Sequence, residues 1–251
     1  MSERDSKNFK GIQGVYFDCG STLIDPCPTV AQQFVHVANM HGACITLDQV
    51  EPHMVTIDRY YDMEYMKDGS FWASPSRSVE LWHDIYRLMC HLTGVLDDVE
   101  EIAHDMFQEY LSADNWMIYE DVNPTLQSLK RAGLRLAVVS NWDAGLTDLL
   151  RGLRLLPYFD EVVASAAVGY RKPERAIFDM ACERLGLPSF ACIHVGDNVE
   201  ADGEGAAAAG IRAVILDRAG HFENGSDENC AYPAIRTLTE LPNAIREMSL
   251  Q

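Results

Sequence analysis

An aspartate that ends an apolar run and is followed by small residues is placed to use its carboxylate as a nucleophile. Asp18 is such a residue: it follows Val15-Tyr16-Phe17 and opens the loop Cys19-Gly20-Ser21-Thr22-Leu23. Alone the pattern is equally a structural turn, because Asp accepts hydrogen bonds from turn amides and Gly permits dihedrals closed to other residues. Three further segments change that balance. Val138-Val139 runs into Ser140-Asn141, a hydroxyl and an amide ahead of a helix, which suits a phosphate-sized anion or a plain helix cap. Lys172, one of five lysines, precedes Pro173, which holds it extended just outside a helix. There its ammonium can neutralise carboxylates and grip a phosphoryl oxygen. His194-Val195-Gly196-Asp197 leaves a third apolar run and Asp202 follows on the same loop; two carboxylates so placed supply the oxygen ligands a hard cation takes. His194 itself reads as a satisfied core histidine.

Positioning these groups requires a sheet. Apolar runs at 14–17, 134–139, 161–164, 191–195 and 213–216 read as five buried parallel strands. Helical patterns separate the last four: one opens at Asn123-Pro124 and ends at Gly133, one carries Leu146, Leu149, Leu150 and Leu153, and one runs from Pro173-Glu174 to Gly186. The alternation predicts an α/β fold, a doubly wound parallel sheet with its reactive loops at the strand carboxyl ends. Residues 25–115 differ, showing helical periodicity and no convincing strand. Val30, Phe34, Val37 and His41 mark one face, Leu81, Ile85, Leu88 and Leu92 a second, Val99, Ile102, Met106 and Tyr110 a third. A block of that length is not a loop. We expect an all-helical domain over 26–115, inserted into a core formed by 1–25 and 116–251 through hinges near 23–28 and 112–121. Tyr60, Tyr61, Tyr65, Phe71 and Trp72 read as packing within it rather than as a pocket lining. Residues 220–232 read as a surface loop.

Composition narrows the partners. The 251 residues are 47% hydrophobic, enough for one large or two modest domains, and the net charge is −18. So acidic a chain offers no basic stripe for nucleic acid or for an anionic membrane, and an anionic substrate must be small and held by local donors or a metal. The seven cysteines are scattered without a Cys-x-x-Cys, which suggests free thiols in a reducing cytoplasm. The start Met1-Ser2-Glu3-Arg4-Asp5 has no hydrophobic signal core, and no apolar run is long enough to cross a bilayer. A monomer or homodimer acting on a small molecule is expected.

Asp18-Cys19-Gly20-Ser21-Thr22-Leu23, Ser140-Asn141, Lys172, and Gly196-Asp197 with Asp202 together resemble, in order and strand-end placement, the four motifs of the haloacid dehalogenase superfamily. The resemblance implies a Rossmann-like core, a helical cap over a small phosphorylated substrate, and Asp18 as the nucleophile that forms an aspartyl phosphate. It implies Mg²⁺ held by the Asp18 carboxylate, the Gly20 carbonyl and Asp197, with Asp202 ligating directly or standing behind them. Thr22 would orient Asp18. Ser140 and Lys172 would hold phosphoryl oxygens, with Asn141 in the same motif, and the amides of Cys19, Gly20 and Ser21 would cradle the rest. Charge agrees, since three converging carboxylates are costly unless a divalent ion and Lys172 offset them.

One departure carries chemical weight. The family's usual first motif is Asp-x-Asp-Gly-Thr-Leu, and the second Asp, which protonates the leaving group in its phosphatases, is Gly20 here. A positioned acid is worth roughly 10²–10⁴-fold, so its loss favours activated phosphates such as acyl or aryl phosphates, or proton delivery by water. Haloacid dehalogenases also lack that acid, but they usually carry Tyr there and lack the metal-binding acid matched by Asp197. Phosphonoacetaldehyde hydrolase has a small residue there and a cap lysine near the start of the insert, whereas Lys67 lies deep within it. A catalytically weak binding protein is the remaining alternative, and it rests on Gly20 alone.

Overall fold

Val15, Tyr16 and Phe17 are all fully buried, although successive side chains of a strand point to opposite faces. Strand β1 (Gly14–Phe17) must therefore lie mid-sheet with both faces covered, and in the computed structural model, which describes residues 9–67, 69–221 and 231–248, it does. Its neighbours are β4 (Arg135–Ser140) and β6 (Cys192–Gly196), both parallel to it. β5 (Glu161–Ala164) flanks β4, while β7 (Arg212–Leu216) and then β8 (Ala234–Ile235) extend the β6 side. The six strands run β5-β4-β1-β6-β7-β8, all parallel. The strand order reverses at β1, which puts the carboxyl ends of β1, β4 and β6 around one crevice.

Helices cover both faces. α5 (Val122–Arg131), α6 (Leu146–Gly152) and α10 (Leu241–Met248) bury Leu126, Leu129, Leu149, Leu150 and Ile245 in the larger core. α8 (Arg175–Leu185) and α9 (Gly205–Ala208) bury Ile177, Phe178 and Ala206 against Tyr16 and Val139 on the opposite face. α8 ends where the sequence predicted, at Gly186, whose φ of 62° closes the helix in the left-handed region.

Between β1 and β4 the chain forms α1 (Val30–Met40), α2 (Leu47–Lys67), α3 (Pro75–Thr93) and α4 (Val99–Leu111). A capping box at Thr29 and Gln32 starts α1. Phe34, Val37, Leu81, Ile85, Ile102, Met106 and Tyr110, all members of the three predicted faces, are buried together, but α3 turns Met89 and Cys90 inward and leaves the expected Leu88 and Leu92 partly buried. Of the faces' other members, His41 caps the end of α1 rather than packing, and its Nε2 meets Asp105 at 2.9 Å.

Three short strands were not predicted, β8 and two that form a separate ribbon. β2 (Ile24–Pro26) and β3 (Trp116–Ile118) pair antiparallel, with Pro26 opposite Trp116 and Ile24 opposite Ile118. Three residues are too few to display a strand's period, and their partner is distant in sequence. Just beyond β3, Arg218 donates to both carboxylate oxygens of Asp121 at 2.9 Å and to the Thr22 carbonyl at 2.9 Å, while its guanidinium lies 3.8 Å from the Tyr119 ring centroid. Residues 222–230, most of the expected surface loop and Cys230 with them, lie outside the described residues, as do the first eight positions.

Candidate active site

Asp18 is the first residue past β1, and its amide donates to the Val195 carbonyl at 2.8 Å. Phe17 is in register with Val138 on one side and Val195 on the other, so Ser140 and Asp197 rise beside Asp18 from the flanking strands. Lys172 arrives from the segment between α7 (Ser165–Val168) and α8. Asn141 clamps that segment: its Oδ1 accepts from the Lys172 amide at 2.7 Å, and its Nδ2 donates to the Lys172 carbonyl at 3.0 Å. The sequence put Asn141 on the substrate; it lines the same cavity, and its side-chain amide also positions the lysine.

The Lys172 side chain is buried, and its Nζ donates to Asp18 Oδ1 and to Asp202 Oδ1, each at 2.6 Å. Asp202 Oδ1 also lies 2.7 Å from His194 Nε2, and its Oδ2 accepts from the Asn198 amide at 3.0 Å. Only glycine is tolerated beneath it, because a Cβ on Gly196 would sit 2.1 Å from Asp202 Cγ. His194 is thus more than a core histidine: it is a support for Asp202. The i+8 relation between them runs from β6 into a π-helical turn, Val199–Glu204, and no single helical or strand period reveals it.

Burial by itself would discharge Lys172, but the carboxylates of Asp18 and Asp202 outweigh it and the ammonium's pKa is raised. Burial likewise opposes ionisation of Asp202, yet Lys172 and His194 hold its pKa well below the usual carboxylate range. Asp197 goes the other way, pushed up to about 7 by desolvation and then by the charges of Asp18 and Asp202. Because Asp197 still faces solvent across the cleft, the neighbouring negative charges are the firmer of those causes. One ligand atom from each of Asp18, Asp197 and Asp202 lies within 4.8 Å of the others. Three carboxylates against one ammonium leave two negative charges over, and hard oxygen donors in that number fit a divalent cation such as Mg²⁺.

Two expectations change. Thr22, expected to orient Asp18, points its Oγ1 at Asp197 Oδ1, a long contact of 3.5 Å. The Ser21 amide, expected to help cradle phosphate, donates to the Ile24 carbonyl at 2.9 Å, which leaves that task to Cys19 and Gly20. Ser21 also takes the loop's left-handed backbone, with φ of 53°. The cause is common to both: the loop folds back on Leu23 and Ile24, whose amides both donate to the Cys19 carbonyl.

A cavity of about 540 Å³ covers the cluster. Asp18, Gly20, Ser140, Lys172, Asp197 and Asp202 line its floor, and Tyr61, Tyr65, Trp72 and Trp82 line the helical side. The sequence took Tyr61, Tyr65 and Trp72 for packing. They do pack, since Trp72 Nε1 donates to the Tyr61 hydroxyl at 3.0 Å and Tyr61 meets the buried Phe71 edge-on at 5.9 Å, but their open faces form the wall. Trp142, directly after Ser140-Asn141, completes the lining and had drawn no notice in the sequence.

A parallel sheet with its strand order reversing at an aspartate-ended β1, and a lysine bridging two of the acids, is the arrangement of a class of hydrolases. Residues 12–210 match the family described as haloacid dehalogenase-like hydrolase, and the chain belongs to that family. It is 28% identical over 241 residues to haloacid dehalogenase-like hydrolase domain-containing protein 3 of Danio rerio, covering 92% of this chain and 95% of that protein. A phosphoserine phosphatase of Thermus thermophilus is 34% identical over 152 residues, 59% of this chain and 57% of that one. Among solved structures, a HAD phosphatase from Thermococcus onnurineus superposes with a TM-score of 0.62 at 25% identity, covering 93% of this chain and 98% of the other. Among the described residues no helix is long and apolar enough to cross a membrane.

Proposed function

We propose that the protein is a Mg²⁺-dependent phosphatase that cleaves a small phosphorylated metabolite through an aspartyl phosphate on Asp18. The observation that carries this reading is the Asp18–Lys172–Asp202 chain of 2.6 Å contacts on the cavity floor, with Asp197 across the cleft. A carboxylate oxygen of Asp18 forms a bond to phosphorus as the bond to the leaving group breaks, and water then cleaves the aspartyl phosphate to release inorganic phosphate. Lys172 fixes the carboxylate for that attack and, with Ser140 and the amides of Cys19 and Gly20, holds phosphoryl oxygens. Asp18, Asp197 and the Gly20 carbonyl would hold the ion, with Asp202, already engaged by three protein donors, behind them. Bound Mg²⁺ supplies positive charge for the phosphoryl oxygens and relieves the acidic cluster.

Residues 26–115 serve as a helical cap domain on a core of 1–25 and 116–251, excluding water while the intermediate forms. The aromatic residues that α2 and α3 contribute to the cavity support this division. The phosphatase names of a relative and of a structural neighbour support the reaction class. The described cysteines are all unpaired, which supports a reducing, cytoplasmic setting.

Phosphate release from a panel of phosphorylated metabolites, with Mg²⁺ and with chelator, tests the reading. Asp18→Asn should abolish turnover while the fold persists, since the amide fills the same space but cannot attack. Near wild-type release by that variant refutes the nucleophile, and release undiminished by chelator refutes the metal.

A further inference from the structure

The place of the missing acid is crowded by an aromatic ring. A Cβ built on Gly20 would lie 3.2 Å from Cζ3 and 4.0 Å from Cη2 of Trp142. Gly20 does not have a positive φ, so its backbone admits a side chain, and the indole is what that side chain meets: even its Cβ requires the ring to give by a few tenths of an ångström. The ring cannot readily withdraw. Trp142 is 6% exposed, stacks on Tyr110 at 5.7 Å and 18°, and meets Trp116 at 5.2 Å. Its backbone is pinned as well, the amide donating to Ser165 Oγ at 3.0 Å and the carbonyl accepting from the same hydroxyl at 3.2 Å.

An aromatic wall in place of a proton donor changes which leaving group is favoured. A phenol ionises near pKa ~10, as tyrosine does, whereas an alcohol ionises near the ~15.7 of water. A phenolate therefore departs without help that an alkoxide needs, and a flat ring gains contact area on an indole face. From this we infer that Trp142 is the specificity-determining residue of the site and that it selects phosphate monoesters with planar aromatic leaving groups that depart as anions. The inference rests on the phosphatase reading. In the step it describes, an Asp18 oxygen bonds to phosphorus, the P–O bond to the aryl group breaks with its electron pair staying on the aryl oxygen, and solvent later protonates the phenolate. Water then adds to phosphorus, the aspartyl–phosphorus bond breaks, and the Asp18 carboxylate returns.

Three probes separate ring recognition from leaving-group ability, all assayed with Mg²⁺. Phenyl phosphate has the ring and a good leaving group, benzyl phosphate has the ring and an alkoxide, and acetyl phosphate has a good leaving group and no ring. The inference expects kcat/KM for phenyl phosphate to exceed that for benzyl phosphate by about 10²-fold or more, the worth of the absent acid. It also expects a higher KM for acetyl than for phenyl phosphate. A smaller phenyl-to-benzyl ratio, or an acetyl KM no higher, overturns it and leaves the phosphatase reading standing. If none of the three is hydrolysed, the inference fails, and the metabolite panel decides the phosphatase reading. The paired variant Gly20→Asp/Trp142→Ala makes room for an acid and should raise benzyl relative to phenyl turnover by about tenfold or more. Gly20→Asp alone should lower both rates without improving that ratio; an improved ratio in the single variant shows that the ring does not fill the acid's place. Should the paired variant fail to fold, the wild-type ratio decides.

Discussion

Lys172→Met removes one charge and little volume, and its consequence follows from the contacts around Nζ. The ammonium is buried and meets Asp18 and Asp202 at 2.6 Å each, so its loss strands two carboxylates beside a third, Asp197. Removing one partner of a buried ion pair costs about 3–5 kcal/mol, because the charge left behind keeps its desolvation penalty. Asp202 retains His194 Nε2 and the Asn198 amide, and so falls toward the lower end, while Asp18 has no such reserve among the contacts described. At about 2–4 °C per kcal/mol for a chain of this size, the expected fall in Tm is roughly 6–20 °C. Thermal unfolding in chelator measures it. Adding Mg²⁺ should then stabilise the variant, by about 2.7 kcal/mol once the ion is at a hundred times its Kd. A variant that melts within about 2 °C of wild type in chelator refutes the claim that this ammonium holds the cluster together.

Gly196→Ala should cost about 1–3 kcal/mol by overpacking and depress turnover, because its Cβ would strike Asp202 and force it off Lys172; an unchanged Tm together with full activity counts against that contact. Asp143 is buried and desolvation raises its carboxyl pKa, a rise that the Gly145 amide and the Tyr110 hydroxyl offset only in part. A carboxyl with a raised folded-state pKa favours folding at low pH and opposes it once ionised. Asp143→Asn should therefore raise Tm at neutral pH, with the gain vanishing below about pH 4, where the unfolded chain is protonated too; a gain independent of pH would mean that charge is not the cause.

The sequence located elements wherever local pattern decides structure. Residues 14–17 and 161–164 form strands with the predicted bounds, and the strands expected at 134–139 and 191–195 lie one residue further on. β8 escaped because two residues carry no period and sit at an edge, where burial demands little. The acids and Lys172 were legible because each ends a strand or precedes a helix, positions that composition marks. What could not be read were relations between distant side chains: His194 reaching Asp202, Asn141 clamping Lys172, and a tryptophan standing over a glycine. Absence of a side chain at position 20 is visible in a string of letters, whereas what occupies the space is not.

The β2–β3 ribbon has a consequence for how such a protein acquires new specificity. Pro26 and Trp116 are directly paired, so everything between them leaves and rejoins the chain across the width of one strand pair, about 5 Å. In topology the whole helical segment is a hairpin loop grown large, and closing a longer loop adds only about 0.6 kcal/mol per doubling of length. The segment can therefore be lengthened, traded for an unrelated insert or cut back to a tight turn without altering the register of a single strand in the six-stranded sheet. The acidic floor of the cavity and its Tyr61, Tyr65, Trp72 and Trp82 wall thus sit on stretches of polypeptide joined at one doorway, free to diversify at different rates, while Trp142 stays with the sheet.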